Sequence, residues 1–407
     1  MGRGGTVGAV TAASYARDGM KILHTSDWHV GRTIRGRSRA VEHEAVLAEI
    51  VAIAKQEQVD LILVAGDQFD TAAPASESER IVWQTLLDLA GVGAHVVMVA
   101  GNHDNPGRLQ AVAPLLALSR IHTGARLVSA AQGGQIDITV GSEETARIAL
   151  LPFLSQRGII RADELMGLDA DEHAQRYDGR ARQVMAQLCD GFGADTVNLA
   201  VTHLMVAGGT LGGGERSAHT IFDYAVAATA FPVSAHYVAL GHLHRAQKIP
   251  AGAPVHYSGS PLQLDFGETA DTKSVTIVAA TPGRPADIRE VPLSAGRRLR
   301  TLRGTLEDLE SQRGTTDDDY LRIIVRGGRR VGLADQVRDW FPNAVDVAVE
   351  QPLDHETPQG RPKRTGRSPH ELFAEYLQDR ASNDERILAL FDELLDAETS
   401  APVDVVA

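Results

Sequence analysis

Three short apolar runs in this chain end in the same way. Residues 21–26 (KILHTS), 61–65 (LILVA) and 95–100 (HVVMVA) stop where Gly, Asp, Asn or His begins. The clusters that follow are Asp27-Trp28-His29, Gly66-Asp67-Gln68-Phe69-Asp70 and Gly101-Asn102-His103-Asp104. Runs this short read as buried strands rather than helices. Between them, residues 39–58 carry Val41, Ala45, Leu47, Ala48, Val51 and Ile53 among charges, and residues 76–89 place Ile81, Trp83, Leu86 and Leu87 inward at helical spacing. The alternation strand–helix–strand–helix–strand predicts a parallel sheet with helices on its faces. In open α/β sheets the functional loops collect at the carboxyl ends of the strands.

Two more clusters follow later apolar runs. Thr202-His203 closes residues 197–202, and Gly241-His242-Leu243-His244 closes residues 237–240. Residues 146–151, 255–258 and 274–279 also read as strands, with a helix over 181–189. Residues more than 200 positions apart can therefore meet on one rim. Asp, Asn and His without Cys suit borderline-hard divalent ions such as Mn²⁺, Fe²⁺ or Zn²⁺. Seven such donors exceed what one metal uses. They match two metals that share a carboxylate, the arrangement that clamps a phosphoryl group. Turn chemistry accounts for Gly before Asp or Asn, but not for His at four separate strand ends. The remaining histidines, among them His24 in the first strand, read as structural.

Composition narrows the field. The chain has 407 residues, which is room for two to three domains without covalent staples. Its single cysteine, Cys189, excludes a disulfide framework and a Cys-based zinc site, and fits a reducing cytoplasm. No run approaches about 18 consecutive apolar residues, so no membrane span is expected. The formal net charge of −13 argues against a protein that coats nucleic acid. It does not argue against a nuclease, where local patches and bound ions set the field.

The segments divide as follows. Residues 1–19 are small and Gly/Ala-rich and read as a disordered extension. Residues 20–290 hold all five clusters. Residues 291–350 are Arg- and Asp-rich with a small α+β pattern: a helix at 305–312, a strand at 320–325, a helix at 333–340 and a strand at 344–349. Residues 351–367, with three prolines, read as a linker. Ser368-Pro369-His370-Glu371 is a helix-start signature and opens a helical segment over 368–396. Residues 397–407 read as a disordered tail.

DxH, GDxxD, GNHD and GHxH in this order resemble the calcineurin-type metallophosphoesterase superfamily. The strings ILHTSDWHVGR, VAGDQFDTAAP, VAGNHDNPGR, VTHLMVAG, ALGHLHRAQ and YSGSPLQLDFGE resemble its SbcD family, the nuclease subunits of bacterial SbcCD DNA-repair complexes. The resemblance implies a four-layer α/β/β/α sandwich with a small α+β capping domain and a C-terminal helical tail. It implies a first metal held by Asp27, His29, Asp67 and His244, and a second held by Asp67, Asn102, His203 and His242. His103 would face the scissile phosphate, with Asp104 orienting it through a ring N–H. Asp70, where relatives can carry His, has a supporting role. A water acidified by the two cations would be the nucleophile, with no covalent enzyme intermediate.

The same resemblance implies Mn²⁺-dependent hydrolysis of DNA: 3′–5′ exonuclease action on duplex ends, and endonuclease action on hairpins and single strands, in repair, recombination and replication. The partners it implies are an SbcC ATPase subunit and a second copy of the chain, a homodimer within a heterotetramer. The segment 368–396 would dock on SbcC through Leu372, Phe373, Tyr376 and Leu377. No P-loop occurs here, so ATP dependence would belong to the partner. Arg32, Arg35, Arg37 and Arg39 are candidates for phosphate-backbone contact. The loop 208–214 reads as a mobile glycine loop, and Ser258-Gly259-Ser260-Pro261 as a loop that could approach substrate. Two other readings use much of the same sequence: a phosphatase or cyclic-nucleotide phosphodiesterase, and a non-catalytic scaffold with a dead site.

Overall fold

The computed structural model describes residues 19–141, 143–155, 177–215, 225–328 and 330–350, with short helical pieces at 373–374, 376–377 and 386–391. The expected extension, apart from Gly19, and the linker and tail lie outside the described residues, as does most of the segment 368–396. Within that segment Phe373 stacks on Tyr376 and on Phe391, with ring centroids 6.0 and 4.0 Å apart.

The chain opens with β1 (Met20–Thr25), a hairpin of β2 (Thr33–Ile34) and β3 (Arg37–Ser38), and helix α1 (Ala40–Glu57). β4 (Leu61–Val64), α2 (Ser76–Gly91), β5 (His95–Val99), α3 (Pro106–Ala117) and β6 (Ile121–Gly124) continue the alternation. α3 is a helix the sequence reading does not include, although Leu109, Val112 and Leu116 stand at helical spacing and face the core. Pro106 at its first turn and the Asn105 side chain, which accepts the N–H of Arg108 at 3.1 Å, start it.

A second set follows: β7 (Gln135–Thr139), β8 (Thr145–Leu151), α4 (Tyr177–Leu188), β9 (Val197–His203), β10 (Tyr237–Gly241), β11 (Gln247–Ile249) and β12 (Val255–Tyr257). β13 (Ser274–Ala280) and β14 (Asp287–Pro292) then return to the first sheet. That sheet has the order β14-β13-β1-β4-β5-β6, and the second has β11-β12-β10-β9-β8-β7. β1, β4, β5 and β6 are parallel, as are β8, β9, β10 and β12. β1 pairs antiparallel with β13 on its other side, Met20 opposite Ala280.

Period two explains the layers. In β4, Leu61 and Leu63 join Val197, Leu199 and Val201 of β9 in a core between the sheets. Ile62 and Val64 face the other way, onto Val46, Ile50, Ile81, Val82 and Leu86 of α1 and α2. On the far side, Ala200 and Val238 pack on Val184, Met185 and Leu188 of α4. The result is helix, sheet, sheet, helix, as the resemblance implied. The inward faces differ in detail from the sequence reading: Leu87 and Val41 are exposed, and Val82 and Leu89 are buried in α2 instead.

The smaller unit is a parallel sheet of β15 (Leu299–Gly304), β16 (Tyr320–Val325) and β17 (Ala344–Val349), with α5 (Leu306–Glu310) and α6 (Leu333–Trp340). Its core is Leu302, Leu309, Leu321, Ile323, Val325, Leu333, Val337 and Phe341. It is seated on the main body by polar contacts. The Leu299 N–H donates to Gln263 Oε1 at 2.7 Å, and the Arg297 N–H to Glu42 Oε1 at 3.0 Å. Tyr320 packs with Ile34, Phe266 and Leu299 beside them.

Candidate metal centre

All seven predicted donors meet at the carboxyl ends of β1, β4, β5, β9 and β10, and five of them are fully or nearly fully buried histidines and aspartates of both sheets: Asp27, His29, Asp67, His203 and His244. His242 is buried as well. Donor atoms within 4.8 Å of one another form three groups: Asp27, His29 and His244; Asp27, Asp67 and His203; and His29, Asp67 and His103. Asp67 Oδ2 lies 3.5 Å from His29 Nε2 and 3.4 Å from His203 Nε2. Asn102 Oδ1 lies 2.9 Å from His203 Nε2 and 2.9 Å from His242 Nδ1.

Local backbone brings them there. Asp27, His29, Asp67 and His242 adopt left-handed φ values of 53°, 48°, 53° and 105°. Each costs on the order of 1 kcal/mol for a residue with a Cβ, and such strain collects where a site is over-determined by its surroundings. Two motif glycines are required by close approach. A Cβ on Gly66, at φ 90°, would run into the His203 ring, and one on Gly241 would run into the Ala65 carbonyl.

The hydrogen bonds orient the rings. A carbonyl has no proton to give, so His203 Nδ1 donates to Ala65 O at 2.8 Å. His203 Nε2 then faces two oxygens, those of Asn102 and Asp67. In a neutral ring that nitrogen carries a lone pair, so the approach is favourable only with a proton or a cation between them. Without metal, a proton fills this role: burial opposes it, but the Asp67 carboxylate pushes His203 up to about 9. Asp67 itself is held well below the usual carboxylate range, against the cost of burial, by His203 and His29. Burial pushes Asp27 up to about 6. His29 Nε2 and His244 Nε2 meet at 3.2 Å, another pair of ring nitrogens aimed at one point. The residues present therefore fit divalent cations: buried carboxylates, a carboxamide and imidazoles whose lone pairs converge.

The other candidates fall differently. His103 donates its backbone N–H to Asp67 Oδ1 at 2.8 Å, and its ring Nδ1 to the Asp70 carbonyl at 2.6 Å. Asp104 does not orient that ring, contrary to expectation. Its carboxylate accepts the N–H groups of Gly101 at 2.8 Å and Phe69 at 3.1 Å, and so fastens the two loops to each other. In a loop this tight, unpaired backbone N–H groups claim a buried carboxylate first.

The arginine cluster divides. Arg32 bonds Asp70 Oδ1 and the Gly214 carbonyl, both at 3.1 Å. Arg35 pairs with Asp346 of the small unit at 3.2 Å. Arg39 is buried against Glu42 and the Gln263 carbonyl, so it is structural rather than a phosphate ligand. Arg37 is exposed. The glycine loop is pinned, not loose: Glu215 accepts the N–H groups of Gly212, Gly213 and His244 at 2.7, 2.7 and 3.0 Å. Ser258 Oγ reaches Ser26 Oγ at 2.9 Å, and Ser26 donates to Asp27 Oδ2 at 2.6 Å.

One residue of the site was missed in the sequence. Glu268, fully buried, accepts the His244 Nδ1–H at 3.0 Å. The string DFGE holds it, but a carboxylate 24 positions from its partner gives no local signal. Such carboxylate–histidine pairs fix the tautomer of metal-binding rings.

Comparison with known proteins agrees with this geometry. The family described as calcineurin-like phosphoesterase matches residues 20–246. The one described as type 5 capsule protein repressor C-terminal domain matches residues 295–381. The SbcD chain of the nuclease SbcCD from Bacillus subtilis is 42% identical over 285 residues, covering 69% of this chain and 71% of that one. Its Escherichia coli K12 namesake is 32% identical, covering 72% and 73%, and that of Rhodobacter capsulatus is 32% identical, covering 77% and 82%. With donors for divalent metal on the rim of a two-sheet α/β body, the chain is a metal-dependent phosphodiester hydrolase that belongs to the calcineurin-like phosphoesterase family, in its SbcD branch.

Proposed function

We propose that this protein is a Mn²⁺-dependent DNA nuclease that works with an SbcC-type ATPase on duplex ends and hairpins. The observation that carries the metal reading is Asp67, one buried carboxylate set between a histidine of each half of the site. Asp27, His29, Asp67 and His244 would hold one cation, and Asp67, Asn102, His203 and His242 would hold the other, as the family resemblance implies. Bound there, such cations neutralise the phosphoryl charge and acidify water beside it. Oxygen and imidazole donors without thiolate admit Mn²⁺, Fe²⁺ and Zn²⁺ alike, and the choice of Mn²⁺ among them rests on the resemblance to the SbcD family.

The chain's own residues supply position and protons. His103 is held at its backbone by Asp67 and at Nδ1 by the Asp70 carbonyl. With Nδ1 donating there, Nε2 is the ring atom left to face the phosphate, and the doubly protonated ring is the form that gives the leaving oxygen its proton, returning to the neutral Nδ1–H form. Asp104 keeps the His103 loop in register with the Asp67 loop. Asp70 accepts from Arg32 and lies 3.4 Å from His29 Nδ1, so it steadies a metal ligand and the loop of His103 together. Residues 291–350 act as the cap that positions duplex DNA, and two copies pair within a heterotetramer. The segment 368–396 docks on the ATPase. The names of the SbcD relatives, as members of the nuclease SbcCD, support this assignment of substrate and partner. The smaller unit and its seat beside the metal rim support duplex DNA over a small phosphodiester.

The test is Mn²⁺-dependent shortening of end-labelled linear duplex DNA by the wild type and by His103→Ala, with a generic phosphodiester alongside. The wild type is expected to shorten the duplex and the variant to spare it. Cleavage of the generic substrate alone, even with the ATPase and ATP added, overturns the nuclease reading.

A further inference from the structure

Glu268 has no exposed surface, so its charge must be fully used where it stands. Three donors converge on its two oxygens. His244 Nδ1 meets Oε1 at 3.0 Å, while Lys273 Nζ at 2.7 Å and the Leu264 N–H at 3.0 Å meet Oε2. Lys273 is not merely a counter-ion. Its ammonium also donates to the His244 carbonyl at 3.0 Å and approaches Ser260 Oγ at 3.0 Å. The pair thus grips both the ring and the main chain of His244, whose Nε2 points at His29 and the metal rim.

A second set of bonds leads away from Glu268. The side chain of Gln263 donates to the carbonyls of Glu268, Thr269 and Asp271 at 3.1, 3.3 and 3.3 Å. Its Oε1 accepts the N–H of Leu299, the first residue of β15 in the small unit. Its own carbonyl is taken by Arg39, which is paired with Glu42, and Glu42 accepts the Arg297 N–H. The guanidinium groups of Arg39 and Arg297 lie 6.0 and 5.1 Å from the Tyr320 ring. One buried side chain therefore touches both the seat of the small unit and the loop that holds Glu268.

We propose that Glu268 is a positioning residue for His244, and that residues 263–268 couple the seating of the small unit to the metal-facing ring. The proposal rests on the two-metal reading above. The carboxylate cannot be replaced by a group of equal size: an amide offers one acceptor oxygen, so its NH₂ would confront either the His244 Nδ1–H or both Lys273 and the Leu264 N–H. Tilting or releasing the small unit pulls on Leu299, and through Gln263 on the loop that aims His244.

The full-length protein, stripped of metal, is titrated with Mn²⁺ by calorimetry, and its melting is followed in EDTA. The wild type is expected to bind two ions per chain. Glu268→Gln is expected to weaken one of the two sites by on the order of tenfold to a hundredfold and to leave the other unchanged. Gln263→Leu, which cuts the link to Leu299 together with the bonds to the carbonyls of Glu268, Thr269 and Asp271, is expected to weaken the same site several-fold. Asn198→Ala removes bonds to the Gly193 and Ser234 carbonyls at the opposite end of β9, and so measures lowered stability alone. A Glu268→Gln titration like the wild type overturns the proposal, as does an equal loss of affinity in Asn198→Ala. Wild-type affinity in Gln263→Leu overturns the coupling to the small unit. A wild-type chain that takes up no Mn²⁺ overturns the two-metal reading itself, a result separate from all of these.

Discussion

The backbone N–H of His242 donates to both carboxylate oxygens of Asp27, at 3.0 and 3.1 Å. Asp27 follows β1 of the first sheet, and His242 follows β10 of the second. The two sheets are thus joined at the rim by a charge-assisted bond as well as by the apolar core between them. Because Asp27 is committed to that peptide, its place among the donors is set before any cation arrives.

Asp67 carries the greatest load in the cluster. Replacing it with Asn removes the charge set between His29 and His203 while keeping the shape. Asp67→Asn is expected to bind fewer than one Mn²⁺ per chain where the wild type binds two, as read by elemental analysis after gel filtration. Two tightly bound ions in the variant would show that the sites do not share this carboxylate.

His103 separates binding from chemistry. Its ring is fixed by a main-chain carbonyl, so truncation leaves the other donors in place. His103→Ala is expected to retain both ions and to lose about a hundredfold or more in cleavage rate, the size usual for a general acid. Loss of metal in this variant would make it a ligand, as its proximity to His29 and Asp67 would then require.

Acid sensitivity follows from histidines away from the donors. Burial, with His256 adding to it, lowers His24 to about 3, and burial with Arg39 lowers His43 to about 4. The unfolded chain takes up these protons near pH 6.5, whereas the folded chain refuses them until far lower pH. Their stabilising contribution is complete above about pH 6.5 and is lost as pH falls towards 4 and 3. At pH 5 the loss is about 2 kcal/mol for His24. In EDTA, His24→Gln is expected to keep more of its pH 7.5 melting temperature at pH 5 than the wild type does; the raised groups of the rim, His203 and Asp27 among them, act in the opposite sense in both proteins and cancel from the comparison. An unchanged slope in His24→Gln would remove His24 from this account.

Gly241 tests the rim itself. A methyl group there meets the Ala65 carbonyl, which also holds His203. Neither partner is the loose end of a side chain. Gly241→Ala is expected to melt well below the wild type in EDTA, by the several degrees or more that a loss of about 2 kcal/mol brings, and to bind Mn²⁺ weakly. Wild-type melting would show that the rim yields more easily than its packing implies.

Much of this was legible because the chemistry sits beside the strongest local signals. LILVA and HVVMVA are buried on both faces, so each reads as an unbroken apolar run ending at its functional loop. The third dimension was not legible. The Arg-rich strand LRTLRG has no apolar run, so nothing local marks β15. Leu87 fits helical spacing but faces solvent, because the helix buries Val82 and Leu89 on its other edge. Asp104 stands beside His103 in sequence, yet its carboxylate turns to the backbone of Gly101 and Phe69. Glu268 and Lys273 reach His244 only once β13 has brought the chain back to the first sheet. Sequence spacing names donors well. It names their supports poorly, since those are chosen by where loops cross.

The return of β13 to the side of β1 has a consequence for the making of the protein. As the chain leaves the ribosome, β1, β4, β5 and β6 can assemble early, but β1 keeps one bare edge until residues 274–280 have been made. The second sheet, with His203, His242 and His244, is threaded between those two events. A nascent chain therefore carries Asp27, His29 and Asp67 from residue 67 until residue 244 without the partners that complete the rim. Cleaving power is withheld until translation of the body is nearly over, and a chain truncated before β13 holds an unpaired strand edge of the kind that draws in other chains.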